Sequence, residues 1–218
     1  MEPLILYFVL FFPGIYNSPF SGGIALKEII PFSMPKEIVH TLTYTLPSLA
    51  LLWFIISDKK GISAIKKEKP GINDLFSLGI GLPGLIVIGL GISLMLYFVG
   101  GSAILAPPPK IEPPANIPGW IIMAFSCLGT GYLEESFFRF YLLNFLEKRL
   151  SNPIPRIIFS TILFSLCHIY EGPWGIANAA LAGILLAIIY IHYKSLHGIA
   201  LAHGGYNIFV YIMGIFNL

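Results

Sequence analysis

Charge is scarce in this chain. Only 11% of its 218 residues are Asp, Glu, Lys or Arg, where a soluble domain carries roughly a quarter. With 56% hydrophobic residues and a mean hydropathy of +0.81, that shortage excludes an ordinary soluble domain. A net charge of +2 leaves no basic footprint for nucleic acid. The two cysteines, Cys127 and Cys167, both fall in apolar runs and give no disulfide framework. The opening MEPLIL lacks a basic n-region and a small-residue cleavage signature, so no removable signal peptide is expected. There is no internal repeat and no H-E-x-x-H pattern.

What remains is apolar sequence in long runs. Residues 75–109 contain no charged side chain, more than a bilayer span of about 20 residues requires. Further spans are expected near 3–24, 38–56, 119–145, 154–170, 175–193 and 198–218, with the first the weakest because Pro13, Gly14 and residues 17–23 interrupt it. The fold class is therefore all-α, a polytopic transmembrane bundle of about seven to eight helices forming a single domain, 1–218. Residues 106–118, APPPKIEPPANIP, read as a stiff extended connector.

Basic residues give the orientation. Lys59, Lys60, Lys66, Lys67 and Lys69 follow the second span, and Lys148, Arg149 and Arg156 follow the fourth. With Lys194 they outnumber Lys27, Lys36 and Lys110 on the other side. That bias predicts a cytoplasmic amino terminus in a plasma or inner membrane, with anionic lipid as a partner for the basic loops. GIGLPG at 79–84 matches a dinucleotide-binding pattern but sits in an apolar run without a βαβ unit, so it reads as helix packing. Ala179 and Gly183 read the same way. His40, His192 and His197 receive no role.

Five ionisable residues remain inside spans: Glu134, Glu135, Arg139, His168 and His203. Each costs at least a few kcal/mol at the bilayer centre, which makes functional use the default hypothesis. The bland alternative is a polar knot that only fixes helix packing. Glu135 and Arg139 stand at i,i+4 in the favourable order for an ion pair. Glu134 is turned about 100° away and is followed four residues on by Phe138, so it lacks that counter-charge and is free to act as a base. Phe164 and His168 share a helix face, as do His203 and Asn207. A histidine and an asparagine one turn apart offer two donors to one point, as oxyanion stabilisation requires. Cys167 points about 100° away from His168 and forms no dyad with it.

The ordered set Glu134-Glu-x-x-x-Arg139, Phe164-x-x-x-His168 and His203-x-x-x-Asn207 resembles the CPBP intramembrane protease family. That family unites type II CAAX prenyl proteases with bacteriocin-processing and Abi-type immunity proteins. The resemblance covers about 119–218; the first half matches only as generic membrane helices. It implies a glutamate-dependent intramembrane endopeptidase acting on a hydrophobic or prenylated peptide. Glu134 would activate water, His168 would assist, His203 and Asn207 would form the oxyanion site, and Glu135 and Arg139 would support them. The family has been described as metalloproteases, so zinc held by Glu134, His168 and His203 is the alternative to the favoured metal-free reading.

One expectation strains the drawing. Glu134 lies about 20 Å along its span from the outer side while His168 sits near the outer end of its own, so either the 154–170 span starts deeper or the 119–145 segment is tilted or broken. A site near His203, about 10 Å into its span, predicts a cytoplasmic mouth. Two other functional classes compete: a non-catalytic membrane immunity or scaffold protein, and a proton-coupled transporter. The transporter lacks the expected symmetry, because every intramembrane charge falls in the second half. Substrate identity and oligomeric state are not encoded in recognisable motifs.

Overall fold

The computed structural model describes residues 2–16, 31–60, 70–100 and 112–216. Their secondary structure is helical, in seven helices. α1 is Glu2–Tyr16; α2 spans 34–60 as the contiguous pieces Met34–His40, Thr41–Thr45 and Leu46–Lys60; α3 is Ile72–Gly100. α4 spans 117–147 as Ile117–Glu135, Ser136–Leu143 and Asn144–Glu147. α5 is Pro153–Leu166, α6 is Gly172–Tyr193 and α7 is Leu196–Phe216. The middle pieces of α2 and α4 are π-helical.

Local chemistry sets several of these ends. Asn116 caps α4 by accepting the Gly119 N–H at 2.9 Å, and Asn152 caps α5 by accepting that of Ile154 at 3.0 Å. A proline in the first turn of each helix gives up no needed donor. α6 ends where Lys194 turns left-handed, at φ 51°.

Four stretches are long and apolar enough to cross a membrane: Met34–Asp58, Ile72–Met95, Ile169–Tyr193 and Leu196–Ile215. Glu2–Phe11 and Pro153–Leu166 are apolar but shorter, and α4 carries the site's charges. The molecule is a multi-pass membrane bundle that buries a charged cluster in an apolar core and exposes apolar side chains outside. Arg139 and Glu135 are 0% exposed, whereas Phe54 is 70% and Val87 69% exposed.

One expected span needs correction, and another is described only in part. α1 covers Glu2–Tyr16, and the rest of 3–24 lies outside the described residues. So do Lys27, Lys66, Lys67, Lys69, Lys110, residues 106–111 of the connector and the last two residues. α5 stops at Leu166 rather than at 170, because His168 leaves helical geometry at φ −103°, ψ 14°. A short 3₁₀ turn, Ile169–Glu171, then leads through Gly172 at φ 79° into α6.

α5 has only 14 residues, about 21 Å of helix, and it runs back along the carboxyl-terminal half of α4. The Arg156–Glu147 ion pair marks its start, at 3.0 Å. Ser160 Oγ donates to the Phe138 carbonyl at 3.1 Å, and the Phe138 and Phe164 rings meet at 5.2 Å. His168, two residues beyond the end of α5, lies against Phe164, the ring that also meets His203. α4 is continuous, with a π stretch where a break was one of the options. All eight π residues are buried. α1 packs on them, with Phe11 5.2 Å from Phe137 and 5.0 Å from Phe138.

Candidate active site

Two glycines let α4 and α7 touch backbone to backbone. A Cβ on Gly131 would stand 2.7 Å from the Gly204 nitrogen and 2.8 Å from the Ala200 carbonyl oxygen. One on Gly204 would stand 2.8 Å from the Leu128 Cα. Only hydrogen fits at either position. The close approach brings Glu134 and Glu135 onto His203.

Glu135 is the centre of the resulting cluster. Its Oε1 accepts from Arg139 Nη1 at 2.9 Å and from His203 Nδ1 at 2.9 Å. The expected i,i+4 pair with Arg139 is therefore present, and the contact with His203 is an addition that helical spacing within α4 could not reveal. Because Nδ1 faces a carboxylate, it carries the proton. His203 then presents Nε2 to Glu134 Oε2 at 3.6 Å. Glu134 Oε2, the oxygen that faces His203, and Glu135 Oε2 are both buried without a hydrogen bond.

Arg139 is held from three sides. Besides Glu135, its Nη2 donates to the Gly183 carbonyl at 3.3 Å, and its guanidinium lies over the Phe164 ring, 4.4 Å from Cζ to centroid. Gly183 packs closely on α5, where an added Cβ would meet Phe164 and Thr161 at 3.2 Å. The small-residue reading of Ala179 and Gly183 as bundle packing therefore holds. GIGLPG holds likewise: a Cβ on Gly81 would meet the Ala202 Cβ at 2.9 Å.

Phe164 also contacts both histidines, with ring centroids 4.7 Å from His168 and 5.8 Å from His203. His168 Nδ1 donates to the Phe164 carbonyl at 2.9 Å, so the neutral ring keeps a lone pair on Nε2. Tyr170 stacks on it at 6.3 Å. Asn207, one turn beyond His203, is half-buried and makes no side-chain hydrogen bond among the described residues. Cys167 points away, toward the Leu163 carbonyl at 3.4 Å and Tyr7 Oη at 3.5 Å.

Glu134, His168 and His203, the donors considered for zinc, do not gather as a metal would require. Among the described residues no three His, Cys, Asp or Glu side chains form such a group. Nδ1 of each histidine is engaged, by Glu135 in His203 and by the Phe164 carbonyl in His168, which leaves Nε2 of both rings open.

An apolar cavity of about 510 Å³ lies between α2 and α4. Leu42, Leu46 and Leu49 form one wall and Ile122, Phe125 and Leu128 the other, and the lining reaches Tyr132, two residues before Glu134.

Sequence reasoning passed over Gly131 and gave Phe164 no task beyond its motif. Gly129-Thr-Gly131, immediately before the glutamates, was the available signal for a close helix approach.

No curated protein and no solved structure matches the chain. Residues 116–209, from the cap of α4 to just past Asn207 and so including all six candidate residues, match the family model described as Rce1-like, type II CAAX prenyl endopeptidase Rce1-like.

Proposed function

We propose that the protein is an intramembrane endopeptidase in which Glu134 activates water for attack on a peptide bond. The carrying observation is that Glu134 Oε2 faces His203 Nε2 at 3.6 Å, while His203 is itself oriented by Glu135 at 2.9 Å. Among the described residues Arg139 pairs with Glu135 and not with Glu134, whose charged neighbour is His203 when that ring is protonated.

In the reaction, the water oxygen bonds to the carbonyl carbon as Glu134 takes the water proton. Nε2 of His168 assists. The developing oxyanion accepts from the Asn207 amide and from His203. Since His203 Nδ1–H is committed to Glu135, donation from Nε2 requires the imidazolium. Two carboxylates, one guanidinium and one imidazolium sum to zero charge. Collapse of the tetrahedral intermediate breaks the C–N bond, and the proton held by Glu134 goes to the leaving nitrogen.

The apolar cavity beside Tyr132 supports a hydrophobic or prenylated peptide as substrate. Its 510 Å³ falls within the range of about 300–1,000 Å³ for ligand sites. The basic loops fit a cytoplasmic amino terminus.

The test is cleavage of a farnesylated carboxyl-terminal peptide by purified wild type and by a folded Glu134→Ala variant. Product from wild type alone is expected. Equal product from both would refute the mechanism, and none from either would favour a non-catalytic immunity or scaffold role.

A further inference from the structure

The glycine contact between α4 and α7 fixes how close the two helices lie. At the start of α7 the first half of the chain adds a polar tie. At the start of α3, Asp74 Oδ1 accepts from the Gly198 N–H at 3.1 Å and from Ser195 Oγ. Ser195 Oγ in turn accepts from the same Gly198 N–H at 3.1 Å. Asp74 Oδ2 takes the Gly71 N–H at 2.6 Å, which ties the carboxylate to its own helix start.

The adjacent residue completes a clasp. Asn73 Nδ2 donates to the Tyr193 carbonyl at 3.0 Å, at the last residue of α6. Two consecutive side chains thus grip the end of α6 and the start of α7. Gly198 has no room for a Cβ, which would stand 2.8 Å from the Asp74 Cα. Ser195 and Gly198 are buried, so the clasp is a packed joint. His203 lies five residues beyond Gly198 on the same helix, about 7.5 Å along the axis.

We infer that Asp74, which lies outside the matched stretch, is a positioning residue for His203. It sets the axial register of α7, and with it the contacts of His203 to Glu135 and Glu134. Its effect on turnover rests on the peptidase reading, but its effect on His203 does not.

The experiment uses full-length protein in nanodiscs with ¹⁵N-labelled histidine, the His203 signal being assigned by its loss in His203→Gln. Asp74→Ala is expected to shift the hydrogen-bonded Nδ1 signal of His203. It should also lower kcat on the farnesylated peptide by about 10- to 100-fold, the cost of roughly ångström misplacement, with KM little changed. Asp74→Asn, which keeps one acceptor oxygen, is expected to restore most of both. Ser195→Ala, a milder lesion, serves if Asp74→Ala does not fold, and a smaller shift in the same direction is expected. A wild-type His203 signal in either alanine variant overturns the inference. A shifted signal with no cleavage even by wild type refutes the peptidase reading alone.

Discussion

The guanidinium of Arg139 rests on the face of Phe164, 4.4 Å from Cζ to centroid, while the same ring touches His168 at 4.7 Å. One aromatic side chain therefore supports both the cation that anchors Glu135 and the histidine proposed to assist catalysis. We predict that Phe164→Leu, which keeps an apolar filler but removes the π face, lowers stability by about 1–2 kcal/mol. Thermal unfolding in detergent would measure it, and peptide cleavage should fall in parallel. A variant as stable and active as wild type would show that the ring is filler.

The two glutamates should separate cleanly by substitution. Glu135→Ala strands the buried Arg139 and His203 without their shared partner and should cost about 3–5 kcal/mol. Glu134→Gln removes a carboxylate with no such obligations, and stability should stay within about 1 kcal/mol of wild type while cleavage is lost. Denaturation and cleavage on the same preparations would check both. Loss of fold in Glu134→Gln would contradict the division of labour.

The close approach of α4 and α7 predicts opposite outcomes at three glycines. Gly131→Ala and Gly204→Ala each drive a Cβ into backbone at under 3 Å, so activity should drop about 100-fold if the helices part by an ångström. Gly205→Ala meets only Leu82 methyls, at 3.4 and 3.6 Å. It should be neutral or stabilising by up to about 1 kcal/mol, the helix-propensity gain of alanine.

Glu147, two residues beyond the expected span, gives a pH prediction. Its hydrogen bond from Arg156, helped by Lys194, holds its carboxyl below the usual glutamate range. A depressed folded-state pKa means that its stabilisation is fully present above the unfolded value, about 4.3, and is lost as pH falls through the lower folded value. The carboxylate is 47% exposed, so the contribution is at most about 1 kcal/mol. Wild type and Glu147→Gln should differ in thermal midpoint at pH 7 and converge below pH 4. A constant difference across that interval would contradict the assignment.

Much of the fold was legible because membrane helices announce themselves through charge-free runs, and the Glu135–Arg139 pair followed from spacing on one helix. Contacts between helices were not. Nothing local says that His203 Nδ1 meets Glu135, or that Asp74 and Ser195 join across more than a hundred residues. The position of His168 was misjudged because apolar sequence continues through Leu166 into a turn, and hydropathy cannot tell the last turn of a helix from the connector after it. The π stretch was equally hidden. Its backbone is supported from outside, by Ser160 donating to the Phe138 carbonyl and by α1 packing on Phe137 and Phe138, and a propensity scale does not see such support.

That π stretch has a consequence for how the chain tolerates change. Ser136–Leu143 separates the glutamates from the end of α4 by a fixed count of residues. A side-chain replacement there alters one contact. Removing one of the three residues between Glu135 and Arg139 would instead shorten their spacing from four to three, about 100° of helical rotation, and turn Glu135 away from Arg139 even though both remain in the sequence. In this segment spacing carries information in its own right, and a scan of one-residue deletions would map the site more sharply than a scan of substitutions.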